Sequence, residues 1–474
     1  MRLHKWVLSG RSATFTCGVL AGLVALTAAI ALPSQGLEVS TGHFWWIALG
    51  SITVATLLVV RSGLWSATGA YASVFWCFHF GLIAVLASGL IEPHELSTWD
   101  QLWLLGPFGA DAAVLALIGF TAFAAGASLI RASATSADSR TNPPDPYEGA
   151  HPFGPAGSAL VFAAIVLWCG IVLMTSGASG FYGAYGDYLS AIDEVGGFMG
   201  LVWLALGGGI VMSVTGRHGW LRTSAIATFG CMALVALPIG LRGEIMFPTI
   251  AALVAAARCG WTLSPGKACA FLIGLLIVIP SVREIRSTGL QGLPDVALEL
   301  RLFDAFVEMG GSLHPVEKVV RWRAEGEALD MGSSYWAPVE RAAARVLPGL
   351  QTSAAEDDMR IMNVLVTDRV GPIGFSPVAE AYRNFGAVGV VLVLGLLGAG
   401  LAAIDGIADR GLAVLAIAIF YVPLLTNVRN SFVSVPLQCG MGALFVAGIH
   451  VMRHVSRSIR CRAYARPAYV RSEI

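Results

Sequence analysis

From Thr14 to Val451 the chain repeats one pattern, an apolar run about as long as a bilayer core is thick followed by a polar connection. A helix crosses that core with roughly 17 to 25 residues. Runs of this kind occupy Thr14 to Leu32, Phe44 to Val60, Tyr71 to Leu90, Ala112 to Ile130, Gly157 to Ser176, Phe198 to Thr215 and Ser224 to Leu241. Others follow at Ile245 to Ala257, Cys269 to Pro280, Ala387 to Ala403, Leu412 to Leu425 and Phe432 to Val451. The expected fold is an all-α polytopic membrane protein of about 12 transmembrane helices, roughly 10 to 14, with one large extracytoplasmic loop. The first run exceeds the roughly 7 to 15 residues of a signal-peptide core, so it reads as a retained helix. The run at Ile245 is the weakest, with an uncharged core of about 13 residues; if it fails to cross, everything after it changes side.

Only 13% of residues are charged, about half the share in ordinary soluble domains. The formal net charge of +0 marks no nucleic-acid partner, and none is expected. Eight cysteines lie in or beside apolar runs without C-x-x-C spacing, which suits small hydrophobes better than a disulfide framework or a zinc site.

Cytoplasmic loops of membrane proteins carry the excess of Lys and Arg. With the N-terminus inside, the short connections divide about 17 to 2 in favour of the cytoplasm, with Arg242 and Arg429 the two outside. That division places both termini in the cytoplasm of a multi-pass protein and supports a spanning Ile245 helix. The resulting organisation is helices 1–4 over residues 1–132, a cytoplasmic linker over 133–156, helices 5–9 over 157–280, the large outer loop over 281–386, helices 10–12 over 387–451 and a basic tail over 452–474.

Loops beyond roughly 12 to 15 residues are usually functional or disordered, so the 281–386 loop is expected to cover an active site at the outer surface. Within it, Val296, Leu300, Phe303 and Val307 share one face of a helix over Asp295 to Glu308. A more charged helix over Pro315 to Ala328 follows, then a turn at Gly332 to Tyr335 and a third helix over Val339 to Leu347.

Charges at the edge of hydrocarbon mark function by default. Arg242 and Glu244 flank Gly243 in a tight outer hairpin, where Arg242 either serves a site or snorkels to the surface and pairs with Glu244. Arg283 and Arg286, three apart, suit a bidentate grip on a diphosphate, or else they meet lipid headgroups. Arg429 is either a site cation or an interfacial anchor. Ser376 and Pro377 form an N-cap and first helical position, so a helix starts there and feeds the tenth span. Glu380 and Asn384, four apart, then face one way with Arg383 beside them, which offers a carboxylate general base at the membrane entrance. The alternative is a capped helix end with a solvated polar face. His314 is the loop's one histidine, either a base or inert, and His79 reads as a hydrogen-bonded core residue ahead of the alternative, a proton relay. Glu356, Asp357 and Asp358 form an isolated acidic run that points only weakly to a metal. No P-loop, G-x-S-x-G, H-E-x-x-H or paired metal-ligand spacing occurs.

The order of these features resembles the Wzy-type O-antigen and oligosaccharide repeat-unit polymerases. The resemblance rests on the Arg242-Gly243 turn, the Gly332, Ser334 and Tyr335 piece with Leu347-Pro348 downstream, and above all the string from Gly374 to Gly386. It implies a metal-independent, cofactor-free glycosyltransferase of the bacterial inner membrane acting on undecaprenyl-diphosphate-linked glycans in the bilayer, with a chain-length regulator protein as a further partner. Product would be O-antigen, the polysaccharide of lipopolysaccharide, or another exopolysaccharide. On this likeness Arg242, Arg283, Arg286 and Arg429 hold diphosphate, Glu380 and Arg242 are the catalytic pair, and Tyr335, Tyr382, Asn384 and His314 contact glycan. Two other functions stay open, an O-antigen ligase, which dependence on His314 would favour, and a lipid-linked oligosaccharide flippase, which usually shows internal repeats and midplane charges.

Overall fold

The computed structural model describes residues 21–25, 41–133, 153–192, 195–217, 219–261, 266–267, 274, 303–344, 347, 349 and 352–464, and among them every regular element is helical. In chain order these are α1 (Phe44–Ser62), α2 (Ala67–His79), α3 (Gly81–Ala87), α4 (Thr98–Leu104), α5 (Gly109–Ser133), α6 (Gly154–Ser176), α7 (Tyr185–Ile192), α8 (Gly196–Val214), α9 (Trp220–Ile239) and α10 (Arg242–Arg258). The polar loop contributes α11 (Asp304–Gly310), α12 (His314–Ala324), α13 (Ser333–Ala344) and α14 (Met362–Arg369). The chain ends in α15 (Pro377–Gly406), α16 (Arg410–Ala416), a π turn over Ile417–Tyr421, α17 (Val422–Asn427) and α18 (Ser434–Tyr464).

Among the described residues six helical stretches are long and apolar enough to cross a membrane: Phe44–Ser62, Gly109–Arg131, Gly154–Phe181, Trp220–Ile239, Pro377–Gly406 and Arg410–Asn427. The bent pair α2–α3 brings the number to up to 7. Shorter apolar helical stretches cover Phe198–Val214 and Ser434–Gly448. Most of the expected runs Thr14 to Leu32 and Cys269 to Pro280 lies outside the described residues, as do nearly all of the 133–156 linker, Arg283 and Arg286.

The expected straight span from Tyr71 to Leu90 is instead two helices bent by 57°. The bend lies where Gly81 faces the Phe306 ring of α11, which sits 2.4 Å from where a Cβ would stand; a side chain there would evict the ring. The Gly332 to Tyr335 segment is a turn only at Gly332, with φ +91°, because α13 begins at Ser333 and takes Ser334 and Tyr335 into its first turn. The expected third loop helix over Val339 to Leu347 is therefore the later part of α13, which ends at Ala344. The expected helix over Asp295 to Glu308 is described only from residue 303 on, where α11 starts at Asp304. The expected helix over Pro315 to Ala328 is α12, which starts one residue earlier and stops at Ala324.

Small residues let membrane helices approach closely, and α5 and α15 use them. A Cβ on Gly126 would lie 1.9 Å from the Gly395 carbonyl, and one on Gly398 would lie 2.1 Å from that of Phe123. One apolar core joins α1–α5, α10, the loop helices α11, α12 and α14, and α15–α17. A second is built on α6 to α10, around Trp168, Met199, Phe229 and Ile245.

α10 relates the two ends of the bundle. Its 17 residues rise about 25 Å at 1.5 Å each. At its start Arg242 pairs with Glu308 of α11. At its end Arg258 donates to the Ile407 carbonyl just past α15. Beside it Asp405 of α15 accepts from Arg131 of α5 and from the first amides of α2, Ala67 and Thr68. The C-terminal ends of α1, α5, α10 and α15 thus meet the N-terminus of α2 around one cleft.

Candidate functional site

The polar node of the protein lies at the N-terminus of α15. Ser376 caps the helix by accepting from the Val378 amide, and Pro377 at the first position needs no hydrogen-bond acceptor for its missing N–H. Ser376 is itself held by His79 of α2, whose Nε2 lies 2.8 Å from its hydroxyl while Nδ1 faces the Phe75 carbonyl. His79 is the hydrogen-bonded core residue that the sequence suggested.

Glu380 and Asn384 do share a face, and α13 covers it. Oε1 of Glu380 accepts from the Ser334 hydroxyl at 2.7 Å, and Oε2 accepts from the Phe432 amide at 2.7 Å. The Asn384 amide group donates to the same Ser334 oxygen at 2.7 Å and accepts from the Gly332 amide at 2.9 Å. Glu380 is 1% exposed and Asn384 0%. The carboxylate therefore does not project into the membrane entrance. It ties the loop helix α13 and the segment before α18 to the first turn of α15, with both oxygens engaged by the chain itself.

Arg383 points the other way, to Asp330 and Glu327, and Glu327 also takes Arg369. Both guanidiniums lie over the Trp322 ring, at 5.9 Å and 4.9 Å, a cation–π arrangement. Burial opposes ionisation of Glu327, but hydrogen bonds from Arg383 and Arg369 outweigh it and hold the carboxyl below its usual range. Two more backbone bonds, from Asp330 and Met331 to the Arg383 and Asn384 carbonyls, seat the loop here. Met331 takes a positive φ of 51°, a conformation rare for its residue type.

Tyr335 lies beside Glu380. Its ring stacks on Phe385 at 6.1 Å and meets the edge of Phe432 at 5.2 Å. The Tyr335 hydroxyl has no hydrogen-bond partner among the described residues. Burial, and then the Glu380 charge, push its pKa up. Next to it Trp336 is 63% exposed.

The other expected residues make different contacts. Tyr382, also on α15, is buried in the main core, with Arg323 and Asp111 acting on it. His314 is buried, stacked on Trp103 at 5.0 Å and edge-on to Trp99. Burial, with Lys318 and Arg321 nearby, lowers its pKa to about 3. It is a neutral packing residue, and no exposed base. Arg429 contributes its carbonyl, which accepts from Phe375, and Gly374 can pass it because a Cβ would stand 2.9 Å away. The Arg242–Glu308 pair is largely buried, at 11% and 13% side-chain exposure. The acidic run near Asp358 serves electrostatics, since Asp358 is bound by Arg360 and faces Arg341. Among the described residues no group of three or more His, Cys, Asp and Glu is placed to hold a metal ion.

A family model for the O-antigen polysaccharide polymerase Wzy matches residues 157–454. The chain belongs to this family. A protein named CapE from Staphylococcus aureus is 28% identical over 253 residues, covering 53% of this chain and 56% of the relative. The chain thus spans about half the length of that curated relative. No solved structure matches. The Wzy match contains Arg242, Glu308, the α13 contacts and the whole α15 node, whereas α1 to α5 precede it. Those preceding helices are nevertheless built into the site: His79 holds Ser376, Gly81 seats Phe306, Trp103 stacks on His314 and Gly126 sits against Gly395.

Ser334, Glu308 and the Phe432 amide are the participants that the sequence reading left out as site residues. Ser334 had a signal, since it lies in the Gly-x-Ser-Tyr piece. Glu308 sat at the end of a recognised amphipathic segment, but nothing local linked it to Arg242. A backbone amide carries no signal in the sequence at all.

Proposed function

We propose that this Wzy-family protein joins oligosaccharide repeat units carried on undecaprenyl diphosphate, at the outer face of the inner membrane and without a metal. The observation that carries the reading is that the family match encloses both the Arg242–Glu308 pair and the loop-to-helix node around Glu380. In this reading about twelve helices span the bilayer, both termini are cytoplasmic, and the 281–386 loop lies outside. A chain-length regulator protein is a further proposed partner.

A diphosphate leaving group develops negative charge, and preorganised cations stabilise it. Arg242 supplies one, with Glu308 holding the guanidinium until the diphosphate takes its place. Arg429 supplies a second, and Arg283 and Arg286, outside the described residues, complete the set. Tyr335, Phe385 and Phe432 offer aromatic faces to the sugar, with Trp336 exposed at the edge. Glu380 orients the acceptor through Ser334 and Tyr335, and Asn384 fixes that arrangement. For Glu380 to take the acceptor's proton directly, Ser334 would have to leave Oε1.

The defining experiment is glycosyl transfer by the purified protein on a defined lipid-linked repeat unit. Arg242→Gln, retained in the membrane at normal level, is expected to leave single repeat units. Long chains of normal distribution from that variant would exclude the diphosphate role. A ligase would instead leave polymer unattached. Loss of attachment, with polymer retained, on replacing His314 would favour a ligase.

A further inference from the structure

The end of α10 opposite Arg242 holds a cleft of about 530 Å³ lined by Ser62, Trp65, Arg131, Arg258 and Asp405 among others. Two guanidiniums and one carboxylate line it. Asp405 is already satisfied, because it caps α2 through the Ala67 and Thr68 amides and accepts the Thr68 hydroxyl at 2.6 Å. Arg131 engages it through one nitrogen, Nη2, at 3.1 Å. Arg258 likewise uses Nη2, on the Ile407 carbonyl. A guanidinium carries five N–H donors, more than the single nitrogen that each of these cleft-lining side chains uses in those bonds. Arg222 and Arg410 add to the positive field, since both, with Arg258, act on the adjacent Cys259. Trp65, half-buried at the rim, is the kind of amphipathic ring that sits at headgroup level.

We propose that this cleft is an anion site that takes a phosphate group, either from the head of an anionic phospholipid or from a free phosphate compound. Basic pockets between membrane helices bind phosphorylated lipid heads by the same chemistry, and planar guanidiniums favour phosphate oxygens in bidentate geometry. The site is distinct from the one at Arg242, which lies a full helix length away, about 25 Å. It therefore does not depend on the glycosyl-transfer reading. Occupancy would tie together the ends of α1, α5, α10 and α15, which converge there.

The test is native mass spectrometry of the full-length protein in detergent, titrated separately with phosphatidylglycerol, phosphatidylcholine and inorganic phosphate. Wild-type protein is expected to retain phosphatidylglycerol over phosphatidylcholine, or to bind inorganic phosphate, and the responding probe names the source. Arg258→Gln removes a donor. Ser62→Glu places a carboxylate in the cleft without breaking any hydrogen bond recorded for Ser62, so it tests the site even if the arginine variant folds poorly. Each is expected to weaken the responding probe about tenfold, the equivalent of one charge-assisted bond, while phosphatidylcholine retention stays unchanged. Equal binding of every probe by wild type and Ser62→Glu overturns the proposal.

Discussion

Replacing Glu380 separates a positioning role from a proton-transfer role. The side chain accepts two hydrogen bonds, from the Ser334 hydroxyl and the Phe432 amide, both at 2.7 Å. Bonds to a charged group contribute about 1.5–3 kcal/mol each. Glu380→Ala loses both, so it should weaken the seating of α13 and of the segment before α18 by about 3–6 kcal/mol. Glu380→Gln keeps an oxygen for Phe432 but turns an amide nitrogen toward Ser334. The Ser334 oxygen can accept that donor alongside Asn384, which leaves its own proton without an acceptor. The cost falls to one bond, about 1.5–3 kcal/mol. If Glu380 positions the acceptor, Gln should retain glycosyl transfer within about tenfold of wild type while Ala loses nearly all of it and unfolds at lower temperature. A general base contributes about 10² to 10⁴ in rate. Transfer on purified lipid-linked substrate, read beside thermal unfolding in the same detergent, measures both quantities. A Gln variant that unfolds like wild type yet transfers more than about 10² slower would refute the positioning argument and leave Glu380 as the base.

Three further outcomes follow from packing and charge. Gly126→Ala should lower the unfolding temperature sharply, because its Cβ would meet the Gly395 carbonyl at 1.9 Å, whereas Gly400→Ala, with nothing within 4 Å, should leave it unchanged. His314→Phe should keep activity within a few-fold by preserving the stack on Trp103. Since His314 ionises at about 3 in the folded chain and near 6.5 otherwise, the stability it confers is full above pH 6.5 and lost as pH falls toward 3; the Phe variant should lack this part of the acid dependence. Hydrogen bonds from Arg360 hold Asp358 below its ordinary value of 3.8, so its contribution is present above that pH and lost below it. Protection of the amides over α13 and residues 352–361, taken relative to their intrinsic exchange rates, should therefore fall as pH drops from 5 to 3, and protection that stays level would count against the pairing.

Helices were legible wherever one face or one run decided them. The Ser376–Pro377 start of α15 was readable because capping is local, and so was the shared face of Glu380 and Asn384. What that face touches was not. Its partners, Ser334 and the amide of Phe432, lie dozens of residues away in either direction, and no pattern within α15 names them. The same limit explains why Glu308 was missed beside Arg242. The straight span expected from Tyr71 failed for a related reason, since at the bend Gly81 packs against a ring from α11 that nothing local announces. His314 shows the same limit: its residue type left a base and an inert side chain both open, and only the two tryptophans of α4 that stack on it show how it is packed.

The weakest run in the sequence turns out to order the rest. Charge counting places Arg242 on one side and Arg258 on the other only if the Ile245 helix crosses. Packing shows that the two arginines, at opposite ends of one helix, meet different partners. Arg242 meets the loop helix α11, while Arg258 meets the ends of α5 and α15 that bear Arg131 and Asp405. Had α10 turned back within the bundle, its two arginines would share one end, and Glu308 and Asp405 would be neighbours. Along α10 one cation thus stands beside the loop helix α11, and a separate basic cluster stands where the ends of α5 and α15 converge.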